Sequence, residues 1–279
     1  MTHEPRLPTA TGSALPCFDA ASCTWHSEQR DGERLLLRLG RQHEFLVAED
    51  TRYGTLVASD DGSSYRFDPA EGADPILVAK FTSSVVRALV RELRGELSLH
   101  GAAIAFDGSA VAFVGPAFAG KSTLAHACVR LGGAQLVADD TVAFAKGTTR
   151  PTVLPMQRGT WLLGDGRDFF GEPPSPERKV FAALPCVDGQ VPLRAIVLLE
   201  HAANEAEETF ERVRGLDAFR RLSPHVFRFR PPSADGRRSE LDRLADLTPS
   251  LAVYTFRRTR RFEALKGHVE RVRLTALAP

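Results

Sequence analysis

Residues 115–126 read GPAFAGKSTLAH, and this stretch decides the fold. Gly115, Gly120, Lys121 and Ser122 match the pattern G-x-x-x-x-G-K-[ST]. The apolar run before the pattern is typical of a strand and the run after the lysine is typical of a helix, which is the context that this pattern requires. Backbone N–H groups of such a loop converge on phosphate oxygens at the start of the helix. The stretch therefore predicts a nucleotide-binding loop.

Each residue type in this loop has a chemical task. Lys121 is expected to reach the β- and γ-phosphate oxygens, and the hydroxyl of Ser122 is a ligand suited to Mg²⁺. We expect ATP, or another nucleoside triphosphate, and Mg²⁺ as cofactors. Phe118 stands at a loop position that glycine often occupies. The predicted nucleotide-binding residues are Gly115, Pro116, Ala117, Phe118, Ala119, Gly120, Lys121, Ser122 and Thr123.

The composition is that of a globular chain with little net charge. Of 279 residues, 43% are hydrophobic, and 36 basic against 35 acidic residues leave a net charge of +1. Because no global field attracts nucleic acid or an anionic membrane, we expect neither as a partner. No apolar run approaches the ~18–20 residues of a membrane span, and the four cysteines lack disulfide or metal-site spacing. A cytoplasmic protein is expected.

Composition and hydrophobic periodicity along the chain predict three regions. Residues 1–30 are rich in Pro, Thr, Ser and Ala without periodicity, which is typical of a flexible arm. Residues 31–95 hold short apolar runs between turn signals and then a helical pattern, which predicts a small β-rich domain with a connecting helix. Residues 96–279 alternate strand and helix patterns, which predicts an α/β domain.

Two motifs flank the loop and indicate which reaction could follow nucleotide binding. Residues 99–101 read LHG on the preceding predicted strand, and residues 136–140 read LVADD on the strand after the helix. Paired carboxylates at a strand end beside such a loop suit Mg²⁺ binding and acceptance of a proton from an attacking hydroxyl. Taken singly, His100 is more often structural and the Asp139–Asp140 pair more often a turn. Their joint placement favours a site.

In this order, LHG, GxxxxGKS and LVADD resemble the HPr kinase/phosphorylase family, whose core is related to phosphoenolpyruvate carboxykinase. The resemblance implies an α/β fold with a P-loop kinase core of this type, preceded by a small β-rich N-terminal domain. It implies catalytic roles for His100, Lys121 and Asp140, with Asp140 accepting the proton of the target hydroxyl. Ser122 and Asp139 would hold the metal. The family also implies a homo-oligomer.

The resemblance fails downstream of the aspartates. Residues 155–159 read PMQRG, with Arg158 before a glycine but no carboxylate immediately before it. We retain Arg158 as a candidate contact to substrate or phosphate, and expect neither the phosphorylase reaction nor HPr as the partner. In size and layout the chain is similar to HPr-kinase-like proteins of peptide biosynthetic clusters, some of which resemble lasso-peptide tailoring kinases.

The expected function is therefore an ATP- and Mg²⁺-dependent kinase acting on a serine hydroxyl of a peptide or small protein. Two alternatives stay open, namely a kinase for a small hydroxylated metabolite and a nucleotide-binding regulatory module with little turnover. Residues 257–261, RRTRR, form either a clamp for anions or, with better odds, a solvated face. Trp161, Phe169 and Phe170 either line an acceptor site or a lid, or form an ordinary core cluster.

Overall fold

The computed structural model of this chain describes residues 15–174, 179–229, 234–247 and 251–277. It divides into two compact units. The first comprises Met1–Glu96 with Arg228–Ser233, and the second comprises Leu97–Phe227 with Ala234–Pro279. The predicted boundary at residues 95–96 lies beside the division between the units, whereas the membership of residues 228–233 in the first unit was not predicted.

The first unit contains an antiparallel sheet whose strands follow chain order: β1 (Cys23–Asp31), β2 (Arg34–Gln42), β3 (Phe45–Asp50), β4 (Gly54–Ala58) and β5 (Tyr65–Pro69). A helical segment follows, made of α1 (Pro75–Phe81), one π-helical turn (Thr82–Val86) and α2 (Arg87–Leu93). Apolar side chains of this segment pack on the sheet, among them Phe81, Leu89 and Leu93 against Leu46 and Leu56. This unit therefore consists of an antiparallel sheet and one helical segment, and its role as a separate N-terminal domain stays a prediction.

Strand β1 corrects the prediction of an arm up to residue 30. Residues 23–31 pair with β2, and the register shifts between Trp25 and Ser27 and again between Gln29 and Arg30. These irregularities break the two-residue periodicity by which a strand is recognised. The indole of Trp25 is covered by the guanidinium of Arg38, 3.7 Å from the ring centroid. Residues 1–14 of the predicted arm lie outside the described residues.

The second unit supplies the remaining elements. In chain order they are β6 (Ser98–Phe106), β7 (Ser109–Val114), α3 (Lys121–Gly132), β8 (Gln135–Ala138), β9 (Thr141–Ala143), β10 (Thr152–Val153), β11 (Gly159–Leu163), α4 (Gly164–Phe170), β12 (Lys179–Ala183), β13 (Val191–His201), β14 (Thr209–Val213), α5 (Gly215–Leu222), α6 (Ala234–Leu247), β15 (Ala252–Arg258) and α7 (Leu265–Leu277). No helix among the described residues has both the length and the apolar character needed to cross a membrane.

A mixed sheet forms the centre of this unit. Its order is β14–β15–β13–β7–β6–β8, with β10 paired to β13 and β9 paired to β6. Strand β13 runs parallel to both β7 and β15. One apolar cluster joins the sheet to Leu222 of α5 and Leu244 of α6, and another joins it to Leu124 of α3 and Val269 of α7. The unit is therefore an α/β structure, as predicted, and helices lie on both faces of its sheet.

The elements around residues 115–126 match their sequence signals. Strands β6 and β7 form a hairpin whose turn residues, Asp107 and Gly108, have φ angles of 47° and 76°. Helix α3 ends at Gly132 and is capped by Gly133 at φ 72°. The ribbon β11–β12, helix α4 and strand β14 were not predicted, because frequent glycine and proline or polar residues hide their periodicity.

Gly101 of the LHG motif allows β6 and β7 to approach closely. A Cβ atom at this position would lie 2.5 Å from the carbonyl oxygen of Phe113 and 3.1 Å from Val114. Since β7 ends at Val114, where the 115–120 loop begins, this contact sets the loop against β6.

We predict that Gly101→Ala destabilises the protein by about 2–3 kcal/mol, because a methyl group would collide with backbone atoms that cannot move independently. Gly164→Ala is the matched control, since nothing lies within 4 Å of a Cβ built there. Its effect should stay within about 1 kcal/mol. Urea unfolding followed by circular dichroism measures both, and equal stabilities of the two variants would contradict the close approach.

Candidate active site

The 115–120 loop connects the end of β7 to the start of α3, and its two motif glycines are required by geometry. Gly115 has φ 156° and Gly120, the N-cap of α3, has φ 84°. A Cβ at Gly115 would lie 2.9 Å from the carbonyl oxygen of Leu199, and one at Gly120 would lie 2.4 Å from Nη2 of Arg258. The backbone conformation favours glycine at both positions, and at Gly115 a side chain would also collide with the backbone of Leu199.

Phe118 adopts a left-handed conformation inside the loop. Its φ is 63°, and its side chain is 57% exposed. For a residue with a side chain this conformation costs about 1–2 kcal/mol relative to the right-handed region. The backbone conformation at this loop position favours glycine, which explains why glycine is often found there. This chain has the exposed ring of Phe118 at that position instead.

Lys121, the first residue of α3, is held across its own loop. The ammonium group donates to the carbonyl oxygens of Gly115 and Pro116, each at 3.0 Å, and the side chain is buried. Burial lowers the pKa of Lys121, while the negative charges of Asp140 and Asp139 oppose this effect. The lysine thus lies among the backbone of the loop and both carboxylates.

Ser122 and Asp139 form the tightest polar contact of the site. The hydroxyl of Ser122 donates to Oδ1 of Asp139 at 2.8 Å, and the backbone N–H of Trp161 donates to Oδ2 at 3.0 Å. Asp139 is only 1% exposed. Burial and the charge of Asp140 raise the pKa of Asp139 to about 6, although the bonds from Ser122 and Trp161 pull it down. Asp139 follows the end of β8, and its carboxylate links this strand end to α3 and β11 through these two hydrogen bonds.

Asp140 and His100 bring the LVADD and LHG motifs together. Asp140 has φ 69° and a carboxyl group that is 33% exposed. Its carbonyl oxygen lies 3.1 Å from Nδ1 of His100 and accepts from the N–H of Gly101 at 3.3 Å. Oδ1 of Asp140 lies 3.4 Å from the same Nδ1.

The tautomer of His100 follows from these contacts. A carbonyl oxygen can only accept, so the hydrogen bond to Asp140 places the proton on Nδ1. Burial and the charge of Lys121 lower the pKa of His100, which favours the neutral ring. Nε2 of that neutral ring carries a lone pair.

Two residues near the site, His225 and Lys179, belong to no recognisable sequence motif. Val226 bridges Leu99, and the N–H of Phe227 donates to the carbonyl oxygen of Ser98 at 3.0 Å, which brings His225 beside His100. Burial and the charges of Lys121 and His100 lower the pKa of His225. The charge of Lys179, on β12, likewise acts on His100 and Lys121. Nothing in the local sequence marks either residue, since both reach the site through long-range pairing.

Arg158 lies in the chain between two residues that contact the end of β8. The N–H of Met156 donates to the carbonyl oxygen of Val137 at 3.0 Å, and the N–H of Trp161 donates to Oδ2 of Asp139 at 3.0 Å. The carbonyl oxygen of Arg158 accepts from the N–H of Leu184 at 3.1 Å. Burial raises the pKa of Cys186, and the charge of Arg158 opposes this effect. A contact of Arg158 with substrate or phosphate stays a prediction.

The aromatic residues divide into two groups. Trp161 is buried and packs on Phe181 with ring centroids 5.3 Å apart. Phe170 packs against the buried ring of His126, and the exposed ring of Phe169 stacks on Phe262 at 4.8 Å. Trp161 is thus a core residue, and the three predicted aromatic residues do not form one surface.

The arginine run is not uniformly solvated. Arg257, Arg260 and Arg261 are exposed, but Arg258 is 3% exposed. Its Nη2 donates to the carbonyl oxygens of Ala119 at 3.3 Å and Gly120 at 3.2 Å. No sequence signal distinguishes Arg258, which contacts the loop, from the other arginines of the run.

The donors beside the loop are oxygen atoms, the ligand type that Mg²⁺ prefers. The hydroxyl of Ser122 and Oδ1 of Asp139 are 2.8 Å apart and are joined by a hydrogen bond, so both oxygens lie at one place. Among the described residues, no group of three or more His, Cys, Asp or Glu side chains could hold a metal ion. These two protein oxygens would therefore hold Mg²⁺ only together with phosphate oxygens and water.

Comparison with known proteins yields matches to solved structures. No family model matches the chain, and no curated protein matches it. Among the matching solved structures is the HPr(Ser) kinase/phosphatase from Coxiella burnetii, at 15% sequence identity and a TM-score of 0.34. The match covers 65% of this chain and 99% of that chain. A likeness at this level carries no functional argument, and the function proposed below rests on the site.

We predict that Ser122→Ala raises the pKa of Asp139 above its value of about 6, because the hydroxyl bond that favours the ionised carboxylate is removed. Titration of the carboxyl carbon of Asp139 by NMR measures the shift. Thr123→Ala is the matched control in the next position and should leave the titration unchanged. An unchanged midpoint in Ser122→Ala would contradict the observed contact.

Proposed function

We propose that this protein is an ATP- and Mg²⁺-dependent kinase that transfers the γ-phosphoryl group to a serine hydroxyl. The observation that carries the proposal is the convergence of the 115–120 loop, Lys121, the Ser122–Asp139 pair and Asp140 at one place. A positive-φ glycine loop before a helix supplies anion-binding N–H groups. The paired carboxylates supply what a phosphate-binding site alone lacks, namely a base and metal ligands.

The triphosphate is proposed to bind with its β- and γ-phosphates over the start of α3. The N–H groups of the first turn have no partners within the helix, and the helix dipole adds positive potential there. Lys121 already spans the loop and lies between it and the carboxylates. Its ammonium group is therefore placed to contact phosphate oxygens at the mouth of the loop.

Ser122 and Asp139 are the proposed metal-holding residues. Bound Mg²⁺ would offset the charge that develops on the phosphoryl oxygens. The hydrogen bond between Ser122 and Asp139 holds both oxygens in position. The bond from the N–H of Trp161 fixes the other oxygen of Asp139, so the carboxylate has one orientation.

Asp140 is the proposed proton acceptor. Its carboxyl group is more exposed than that of Asp139, and its backbone is fixed by the contacts of its carbonyl oxygen with His100 and Gly101. The acceptor oxygen would attack the γ-phosphorus, the bond to the β,γ-bridging oxygen would break, and the hydroxyl proton would pass to Asp140. A hydroxyl is a weak nucleophile, so an aligned carboxylate raises its reactivity.

The proposed acceptor is a serine-bearing peptide or small protein. This part of the proposal is supported by the similarity in layout to HPr-kinase-like proteins of peptide biosynthetic clusters. Under this proposal, a ribosomally made precursor such as that of a lasso peptide is the natural candidate. The first unit presents β1 and β5 as the edges of its sheet, and an extended peptide can pair with such an edge through main-chain hydrogen bonds.

The proposal is tested by binding and transfer. Calorimetry with Mg-ATP should show binding to the wild-type protein, and Lys121→Met should lose at least tenfold in affinity. Incubation with ATP and a mixture of serine-containing peptides should add 80 Da to a peptide, while the same peptides with alanine for serine stay unmodified. Wild-type protein that fails to bind Mg-ATP would overturn the proposal. Binding without transfer to any peptide or hydroxylated metabolite would identify a regulatory module.

We predict that Asp140→Asn lowers kcat at least 100-fold, since general-base catalysis contributes on the order of 10²–10⁴. The Kd for Mg-ATP should change less than threefold, because the base contacts the acceptor and not the phosphates. Asp107→Asn is the matched control, as Asp107 also has positive φ, at 47°, but lies in the β6–β7 turn. Retained turnover in Asp140→Asn would contradict its role as base.

A further inference from the structure

Arg258 is the last residue of β15 and a charged side chain that the proposed reaction has not used. It is 3% exposed, whereas Arg257 before it and Arg260 after Thr259 are exposed. Removing an arginine from water is costly unless its donors are satisfied, so its partners identify what it holds.

The partners of Arg258 are backbone carbonyl oxygens at the end of the 115–120 loop. Nη2 donates to the oxygen atoms of Ala119 at 3.3 Å and Gly120 at 3.2 Å, and Nη1 donates to the oxygen of Thr259 at 3.1 Å. A Cβ at Gly120 would lie 2.4 Å from Nη2. The absence of a side chain at Gly120 leaves the space that the end of the Arg258 side chain occupies.

The direction of these carbonyl groups determines where the loop N–H groups point. In a trans peptide the C=O of one residue and the N–H of the next lie on opposite sides. Carbonyl oxygens of Ala119 and Gly120 that are turned toward Arg258 therefore direct the N–H groups of Gly120 and Lys121 away from it. Away from Arg258 is the side on which a phosphate would meet the loop.

We propose that Arg258 is a positioning residue that holds the loop peptides in the orientation needed to bind the phosphates of the nucleotide. The inference rests on the proposed function and adds to it a residue on the side of the loop opposite the ligand. Without the guanidinium, the Ala119–Gly120 peptide group would lose this partner and could rotate, and the N–H of Gly120 would no longer converge with its neighbours on one phosphate. The carbonyl oxygen of Gly120 would keep its second hydrogen bond, which it accepts from the N–H of Leu124 at 2.9 Å.

The charge of Arg258 adds to its effect. Burial lowers the pKa of Arg258 to about 10, with the charge of Arg260 acting in the same direction, so the guanidinium is still protonated at neutral pH. A buried positive charge behind the loop is weakly screened by solvent and favours a polyanion in front of it. A lysine could supply the charge but not the planar set of donors.

Thr259 anchors the strand end that carries Arg258. Its N–H and its hydroxyl both donate to Oε1 of Glu208, at 2.8 Å and 2.7 Å, and Nε2 of His268 on α7 lies 2.9 Å from the same oxygen. Burial raises the pKa of Glu208, but the bonds from Thr259 and His268 outweigh this, and the pKa is lowered. The ionised carboxylate therefore holds the end of β15 in place beneath the loop.

The test compares Arg258→Met with Arg257→Met, which removes an exposed arginine from the adjacent position. Calorimetry with Mg-ATP and with Mg-tripolyphosphate reports the phosphate contacts with and without a nucleoside. Arg258→Met should raise Kd at least tenfold and by a similar factor for both ligands, because the loop N–H groups that lose their orientation contact phosphate in both. Arg257→Met should stay within threefold of the wild type.

The outcomes separate this inference from the proposed function. A folded Arg258→Met protein whose Kd rises less than threefold overturns the inference while the proposed function stands. Wild-type protein that binds neither ligand overturns both. If Arg258→Met does not fold, Arg258→Lys replaces it under the same thresholds.

Chemical rescue distinguishes positioning from general disturbance. In Arg258→Ala, ethylguanidinium at millimolar concentration should restore Mg-tripolyphosphate binding at least threefold, whereas ethylammonium should not. The planar donors, rather than the charge alone, would then account for the recovery. No recovery in a folded Arg258→Ala protein assigns the loss to general disturbance and overturns the inference.

Discussion

A single buried carboxylate holds the site together. Asp139 accepts a hydrogen bond from Ser122 at the start of α3 and another from the backbone of Trp161 on β11, and it follows the last residue of β8. Burying a carboxylate without partners would cost several kcal/mol, so these donors must stay where they are for the fold to remain stable. The position of the helix relative to the sheet and the chemistry of the site thus depend on the same bond.

Charge is balanced locally in a chain whose net charge is only +1. Lys121, His100, His225 and Lys179 act on one another or on the same neighbours, and the carboxylates of Asp139 and Asp140 lie among them. In the low dielectric of a partly buried site each of these charges acts more strongly than it would at the surface. Such a site is suited to a ligand that brings both negative phosphates and a cation.

The surroundings of the 115–120 loop are constrained on several sides. Gly101 brings β6 against β7, Leu199 of β13 lies against Gly115, and Arg258 of β15 lies against Gly120. These strands are neighbours in the sheet, so their positions in the sheet constrain the conformation of the loop. Pro116, Ala117 and Phe118 of the loop are exposed, and Phe118 also has an unfavourable backbone conformation, at φ 63°.

Sequence alone determined the elements whose signal is local. The glycine–lysine pattern, with the apolar run before it and the helical run after it, predicts its structure from neighbours along the chain. The α/β class follows from the alternation of strand and helix patterns in residues 96–279. Tertiary structure alone decided that β1 is a strand, that His225 and Lys179 join the site, and that Arg258 is buried under the loop. These outcomes depend on pairing between residues far apart in the chain. A side chain of one type, such as arginine within RRTRR, has the same local signature whether it faces water or a carbonyl group.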